Sequence, residues 1–324
     1  MIWLIWRQYR VAMGMGMVVL VALSLVLVMD AHALNAALQQ HHFTQCFSPD
    51  ALPCGIMIVP NTTWQWRTIA GMVLPLLPLV VGVFLGAPLL PREYDQHTHL
   101  FAWTQSMSPT RWLSVKLVMI GGATLIGFGL LSCVTTWWGF VQDNIAFSPW
   151  DTFTIRGSVP VATALLGLMV GVMIGTFIRR TLPSMALTLV LLLVIQAGIS
   201  IGYPYLLPPS SQLDYYHQIQ QQHLVGKFGD NSQDLIVSQQ YAEPDGKIID
   251  DMNAYCGIAP NTGAGEYDQK VKQCVNEHQV KPLVAYQRFD ERFWPLQLVT
   301  TALLLGLTVL VTAMTYWQLR RRML

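Results

Sequence analysis

Charge is scarce in this chain: Asp, Glu, Lys and Arg make up only 11% of its 324 residues, where a soluble domain carries about a quarter. That shortage excludes a disordered chain, a coiled coil and most soluble enzymes. Basic and acidic residues nearly cancel, leaving +1, so the balance gives no reason to expect nucleic acid as a partner. The chain also lacks a G-x-x-x-x-G-K-[ST] phosphate loop, a G-x-S-x-G elbow and any repeat of about 20–50 residues. Its eight histidines form no H-E-x-x-H and no Cys/His zinc spacing; His41-His42 and His97-x-His99 are the only clusters. No metal site and no catalytic residue is expected.

What fills the chain instead is apolar residues, 53% of the total. They fall into six runs of roughly 20 residues, each long enough to cross the ~30 Å hydrocarbon core as a helix. The runs are Val11–Met29, Ile69–Leu90, Leu117–Phe140, Val159–Ile178, Leu182–Tyr205 and Leu296–Trp317. Lipid cannot satisfy exposed backbone, and the runs are too long for barrel strands. The fold class is therefore an all-α polytopic membrane protein. The first run is too long for a signal h-region and no clear cleavage site follows it, so it stays in the mature chain.

Lys and Arg in the short connections set the orientation. Arg7, Arg10, Arg92, Arg111, Lys116, Arg179, Arg180 and Arg320 to Arg322 share one side with only Glu93 and Asp95. The opposite short connections hold Arg67 and Arg156 against Asp30, Asp50, Asp143 and Asp151. Both termini are expected in the cytoplasm. Trp137, Trp138, Tyr316 and Trp317 suit interfacial belts better than ligand stacking. Almost no ionisable residue lies deep in a run. Such groups cost at least about 2.5–3.5 kcal/mol at the bilayer centre and are kept for a purpose. Their absence argues against a proton-coupled carrier, an intramembrane hydrolase and a charged-ring channel. Gln196 is the only deep amide, either a helix–helix hydrogen-bond partner or a substrate contact. Any work this chain does must draw energy from a partner.

Four regions follow. Residues 1–10 place Ile2, Ile5, Trp6 and Tyr9 on one helical face and Arg7, Gln8 and Arg10 on the other, with Trp3 beside them. That is the pattern of a helix lying flat on a membrane. Residues 11–205 hold five spans, an outer loop at 30–68 and a cytoplasmic stretch at 91–116. Residues 206–294 carry twelve acids and seven bases, a net of −5, and form an insertion too long for a bare loop. Its strand and helix content is ambiguous: Leu235–Val237 is a weak strand signal, and 276–284 has no clean period. Residues 295–324 give the sixth span and a basic tail. Cys46 and Cys54 share the first outer loop and Cys256 and Cys274 the second, which suits disulfides in an oxidising compartment. They pair either locally or across the loops, as Cys46–Cys256 would. A local Cys256–Cys274 bridge is worth about 3 kcal/mol in the chain-entropy model. Cys133 reads as a plain buried residue of span three.

The cytoplasmic stretch PREYDQHTHLFAWTQSMSPTRWLSVK begins with a helix-starting proline, Pro91, and two acids suited to a helix N-terminus. Together with Trp6-Arg7-Gln8, Gly86-Ala87-Pro88, Arg292-Phe293-Trp294-Pro295-Leu296-Gln297 and Arg320-Arg321-Arg322, it resembles the membrane subunit of an ATP-binding-cassette exporter of the type-2 (ABC-2-like) permease family. The pattern is best known from actinomycete-like, Gram-positive-type bacteria. His97 stands where the family commonly has glycine before the threonine.

The resemblance implies an arrangement. The chain would be a multi-pass protein of a bacterial cytoplasmic membrane, paired with a second permease copy or paralogue and with a separate ABC ATPase. ATP and Mg would be bound by that partner and no cofactor by this chain. Arg92, Glu93, Tyr94, Asp95, Thr98, Trp103 and Arg111 would form an ATPase-coupling helix, where the plainer alternative is that Glu93 and Asp95 merely cap a solvated helix. The substrate path would run between spans two and five, past Pro75, Pro78, Gln196 and Gly198, and would suit a lipid, a hydrophobic drug or an antimicrobial peptide. A competing reading is a sensory or immunity protein that binds a peptide through its outer domain without transport. A lipid-transferring enzyme would need catalytic groups that are not found.

Overall fold

The computed structural model describes residues 2–40, 61–92, 109–143, 148–208, 211–213, 235–243, 245, 247–249, 251–258, 264–287 and 289–321. They divide into two compact units, Met1–Tyr203 with Trp294–Leu324, and Pro204–Phe293. The first contains six helices long and apolar enough to cross a membrane: Arg10–Ala37, Thr62–Gly86, Thr110–Asp143, Pro149–Ile178, Thr181–Tyr205 and Glu291–Arg321. These are spans one to six, and each contains or overlaps the run read from sequence.

Span one belongs to an uninterrupted helix, Ile2–Gln40. The structure has no break at Arg10, where a separate flat helix was expected. The chain from residue 2 to 40 contains no proline, and nothing else forces a turn. At 39 residues and 1.5 Å per residue the helix reaches about 58 Å, nearly twice the hydrocarbon thickness.

Span two is the irregular one. Asn61–Val73 is α-helical, Leu74–Leu76 is a 3-10 turn, Leu77–Val80 is α-helical and Val81–Gly86 is a π-helix. Pro75 and Pro78 supply no N–H, so the regular ladder fails there. The π segment closes with Ala87 N–H donating to the Gly82 carbonyl at 2.8 Å.

Span four is the centre of the unit and span one its most exposed helix. Span four meets span two backbone to backbone. A Cβ added at Gly82 would sit 2.6 Å from the Gly167 oxygen, and one at Gly86 2.5 Å from the Leu168 oxygen. On the other side a Cβ at Gly167 would meet the Pro78 oxygen at 2.8 Å, and one at Gly175 the Ala87 oxygen at 2.6 Å. Only glycine permits this approach, and in lipid such packing replaces the hydrophobic drive that is absent between helices.

Two apolar clusters mark the ends. One joins Leu27, Ala31, Leu34, Leu74, Trp138 and Ile155. The other joins Leu90, Leu113, Val172 and Leu319, with Met13 against it. The second lies at the end where Arg7, Arg10, Arg92, Arg111, Arg179, Arg180, Arg320 and Arg321 are exposed. We refer to this as the basic end. The other, where residues 148–158 fold over the helices, is the capped end.

The second unit corrects the all-α expectation, which holds for the helical bundle alone. Strands β1 (Ser211–Leu213), β2 (Leu235–Ala242), β3 (Ile248–Ile249) and β4 (Lys281–Gln287) form an antiparallel sheet in the order β1-β4-β2-β3. β2 pairs β4 from Leu235 opposite Gln287 to Ala242 opposite Lys281, with a bulge between Ile236 and Ser238. The missing period at 276–284 has a cause. That window crosses the end of helix Ala264–Glu277, a turn with Gln279 at φ 49°, and the start of β4. Cys256 and Cys274 are joined, with Cα atoms 5.7 Å apart. Cys46 and Cys54 lie outside the described residues.

Candidate functional site

The capped end concentrates the polar chemistry. After Ser148 the chain makes a 3-10 helix, Pro149–Ile155, in which Trp150, Phe153 and Ile155 are buried. Buried backbone that leaves the regular helical ladder must find other partners, and here side chains supply them. Arg67 of span two donates to the Ser148 carbonyl at 2.8 Å. Thr135 donates to the Ile155 carbonyl at 2.7 Å, Gln297 of span six donates to the Phe153 carbonyl at 2.7 Å, and Ser132 donates to the Gly157 carbonyl. Gly157 N–H donates to Thr136 Oγ1 at 2.9 Å, and the Ser158 and Thr301 hydroxyls pair at 2.7 Å. Gly157 takes φ +64° with the Gln297 amide directly over it, so both backbone conformation and space call for glycine there. Phe153 stacks on Tyr203 of span five with centroids 4.2 Å apart.

Two arginines hold this segment. Arg156 is fully buried and forms a two-pronged pair with Asp143, at 2.9 and 2.8 Å, and also reaches Thr152 at 3.3 Å. Arg67 donates to Gln142 at 2.5 Å and pairs with Asp151 at 3.1 Å. Beside them Asp30 of span one is buried, accepting from Trp138 Nε1 at 2.9 Å and Thr63 Oγ1 at 3.1 Å. The Gln142 Nε2, Gln297 Oε1 and Thr300 Oγ1 atoms are buried with no hydrogen-bond partner among the described residues. These are groups that internal water ordinarily satisfies. Sequence reasoning placed Arg67, Arg156 and Asp30 in loops and missed this network. The available signal was two lone arginines among four aspartates at one side. The glycine crossing also had a signal, the spacing Gly82-x-x-x-Gly86 facing Gly167-x-x-x-Gly171-x-x-x-Gly175.

The residues expected to line a path are only partly together. The Pro78 carbonyl faces Gly167, and Leu192 of span five packs on Gly82, one helical turn before Gln196. Pro75 is half-buried on the same span. Gln196 is half-buried, and its Oε1 has no hydrogen-bond partner among the described residues. Gly198 is exposed, and nothing among the described residues packs close to it. Cys133 is likewise exposed, against expectation: it sits on the outward face of span three.

At the basic end, Arg92 and Arg111 are exposed. Lys116 is buried, with Nζ 3.9 Å from the Trp112 ring centre. The Ser114 and Tyr316 hydroxyls join spans three and six at 2.7 Å. Glu93, Tyr94, Asp95, Thr98 and Trp103 lie outside the described residues. Arg7 and Arg10 are exposed on the first helix, and the side chains of Trp3 and Trp6 lie outside the described set. Among the described residues no group of His, Cys, Asp and Glu could hold a metal ion.

A family model described as "ABC-2 membrane transporter related" matches residues 17–202. The match takes in spans two to four, span one beyond Gly16 and span five as far as Gly202. No curated protein and no solved structure matches the chain.

Proposed function

Since the chain belongs to the ABC-2-related membrane transporters, a multi-pass membrane subunit whose family implies a partner ABC ATPase, we propose that it is an exporter permease. The substrate is an amphiphile: a lipid, a hydrophobic drug or a membrane-active peptide. The family match across residues 17–202 carries the reading. The ionisable groups of the spans gather toward their two ends and leave the middles apolar, which agrees with driving energy supplied by a partner.

In this reading the basic end faces the cytoplasm of a bacterial cell, as the exposed arginines favour. The segment beginning at Arg92 carries the coupling helix, with Glu93, Tyr94, Asp95, Thr98 and Trp103, and Arg111 flanks its return into span three. This chain binds no nucleotide; ATP and Mg belong to the partner. Two permease chains, copies or paralogues, form the path between their second and fifth spans. The 204–293 unit stands outside the cell, where its disulfide is stable.

The experiment is purification of the tagged chain in mild detergent, with identification of what accompanies it. A stoichiometric subunit with a Walker phosphate loop, whose ATPase activity rises with an amphiphile, is the expected result. Glu93→Ala should retain that subunit and lose the stimulation. Recovery of the chain alone, or with a signalling kinase, refutes the reading.

A further inference from the structure

Span six carries three polar side chains, Gln297, Thr300 and Thr301, at the level where the helical part of span four, Val159–Ile178, begins. Gln297 is 1% exposed, and its Nε2 donates to the Phe153 carbonyl at 2.7 Å. Its Oε1 is left as an acceptor over Gly157, where an added Cβ would sit 2.8 Å from it. Thr301 pairs with Ser158, the residue before Val159, at 2.7 Å. Thr300, between them in sequence, is 4% exposed. Neither Gln297 Oε1 nor Thr300 Oγ1 has a hydrogen-bond partner among the described residues. Residues three apart on a helix hold their Cβ atoms about 5–6 Å from one another. That separation suits two hydrogen bonds through one shared atom better than one direct bond.

The helix beside them lacks a side-chain cap. Ser158 occupies the N-cap position but makes no bond to the first turn, and its hydroxyl pairs with Thr301 instead. Pro160 has no N–H to satisfy. Val159 is 1% exposed and brings its N–H to the first turn, where a helix offers no acceptor of its own.

We propose that one internal water binds here. It donates to Gln297 Oε1, shares a hydrogen bond with Thr300 Oγ1 and accepts from the first turn of span four. The donor set selects the ligand. An anion suits a helix N-terminus but carries no proton for Gln297 Oε1. A cation suits that oxygen but is opposed by the positive end of the helix and cannot accept from its N–H groups. Water does both, and a buried water typically makes about three such bonds. The water thus supplies the cap that Ser158 does not, and it links span six to span four alongside the Thr301–Ser158 and Gln297–Phe153 bonds. None of this depends on what the chain transports.

The test is a structure of the full-length chain in nanodiscs, at a resolution that shows ordered water, together with equilibrium unfolding of two variants. The expected density is a single water about 2.7–3.2 Å from both Gln297 Oε1 and Thr300 Oγ1. Thr300→Val keeps the shape of the side chain and removes its hydroxyl. It should weaken that density and raise the unfolded-to-folded ratio about 2- to 12-fold, the worth of one net hydrogen bond. Thr300→Ser, which retains the hydroxyl, should keep the density. Removing a hydroxyl that holds nothing would leave stability unchanged or raise it, and that result overturns the site. So does a parent structure in which Thr300 Oγ1 turns to the Leu296 carbonyl, or one that shows ordered water elsewhere at the capped end and none here. The parent density decides the question even if Thr300→Val does not fold.

Discussion

Replacing Arg156 by methionine is the sharpest test of the cap. The substitution keeps most of the side-chain volume over Gly139 and Phe140 but removes the charge. Asp143 then loses its two bonds to the Arg156 guanidinium, 2.9 and 2.8 Å, while staying only 11% exposed. Removing one partner of a buried pair costs about 3–5 kcal/mol, because the survivor is left uncompensated. Arg67 also acts on Asp143 electrostatically, so the lower part of that range is expected. The double variant Asp143→Leu with Arg156→Met removes both charges, and such replacements are often neutral or stabilising. It should recover at least about 2 kcal/mol of the single variant's loss, within the range of couplings that contacting residues show. Equilibrium unfolding in mixed micelles, followed by tryptophan fluorescence, gives both numbers. Trp138 and Trp150 are buried in the same region, so the signal reports on the cap. A single variant within about 0.5 kcal/mol of the parent, the range of a surface substitution, or a double variant no better than the single, would refute the claim that this pair closes the network.

Other outcomes can be checked on the same material. Asp30→Ala leaves the Trp138 indole N–H and the Thr63 hydroxyl without the acceptor oxygens they use and should cost about 1–3 kcal/mol; Asp30→Asn keeps one acceptor oxygen, enough for one of the two donors, and should recover only part of it in the same unfolding assay. Gly171→Leu drives a side chain into the Ala87 nitrogen, which an added Cβ alone would approach to 2.7 Å, and should lose at least about 1–3 kcal/mol. Gly198→Leu meets open space and should change little. Cys256→Ser with Cys274→Ser opens a link across 18 residues of sequence and should destabilise the 204–293 unit by about 3 kcal/mol, read as faster limited proteolysis within that segment while the helical unit stays intact.

Much of the fold was legible because lipid narrows the choices. An apolar run of about 20 residues has few alternatives to a spanning helix, and all six were found in place. The interruption of span two was also readable, since Pro75 and Pro78 cannot donate to an α ladder. Other features were not. Arg156 looked like a loop residue, because no local pattern says that residues 148–158 fold back among the helices. Cys133 looked buried, because spans one, three, five and six are apolar around much of their circumference, and composition cannot tell a lipid-facing position from a packed one. The β2–β4 pairing joins segments about forty residues apart, and no short-range signal records such a partner.

Composition, run length and the placement of arginine determined by themselves that this is a six-span membrane protein with one basic end. They did so because the cost of burying charge and bare backbone in hydrocarbon acts residue by residue. The tertiary structure decided which polar groups meet. It brought Asp30, Arg67, Asp143 and Arg156 into one network, set the backbone of span two against the glycines of span four, and paired the strands of the second unit. Those choices depend on distances between residues far apart in the chain, and only the folded molecule sets them.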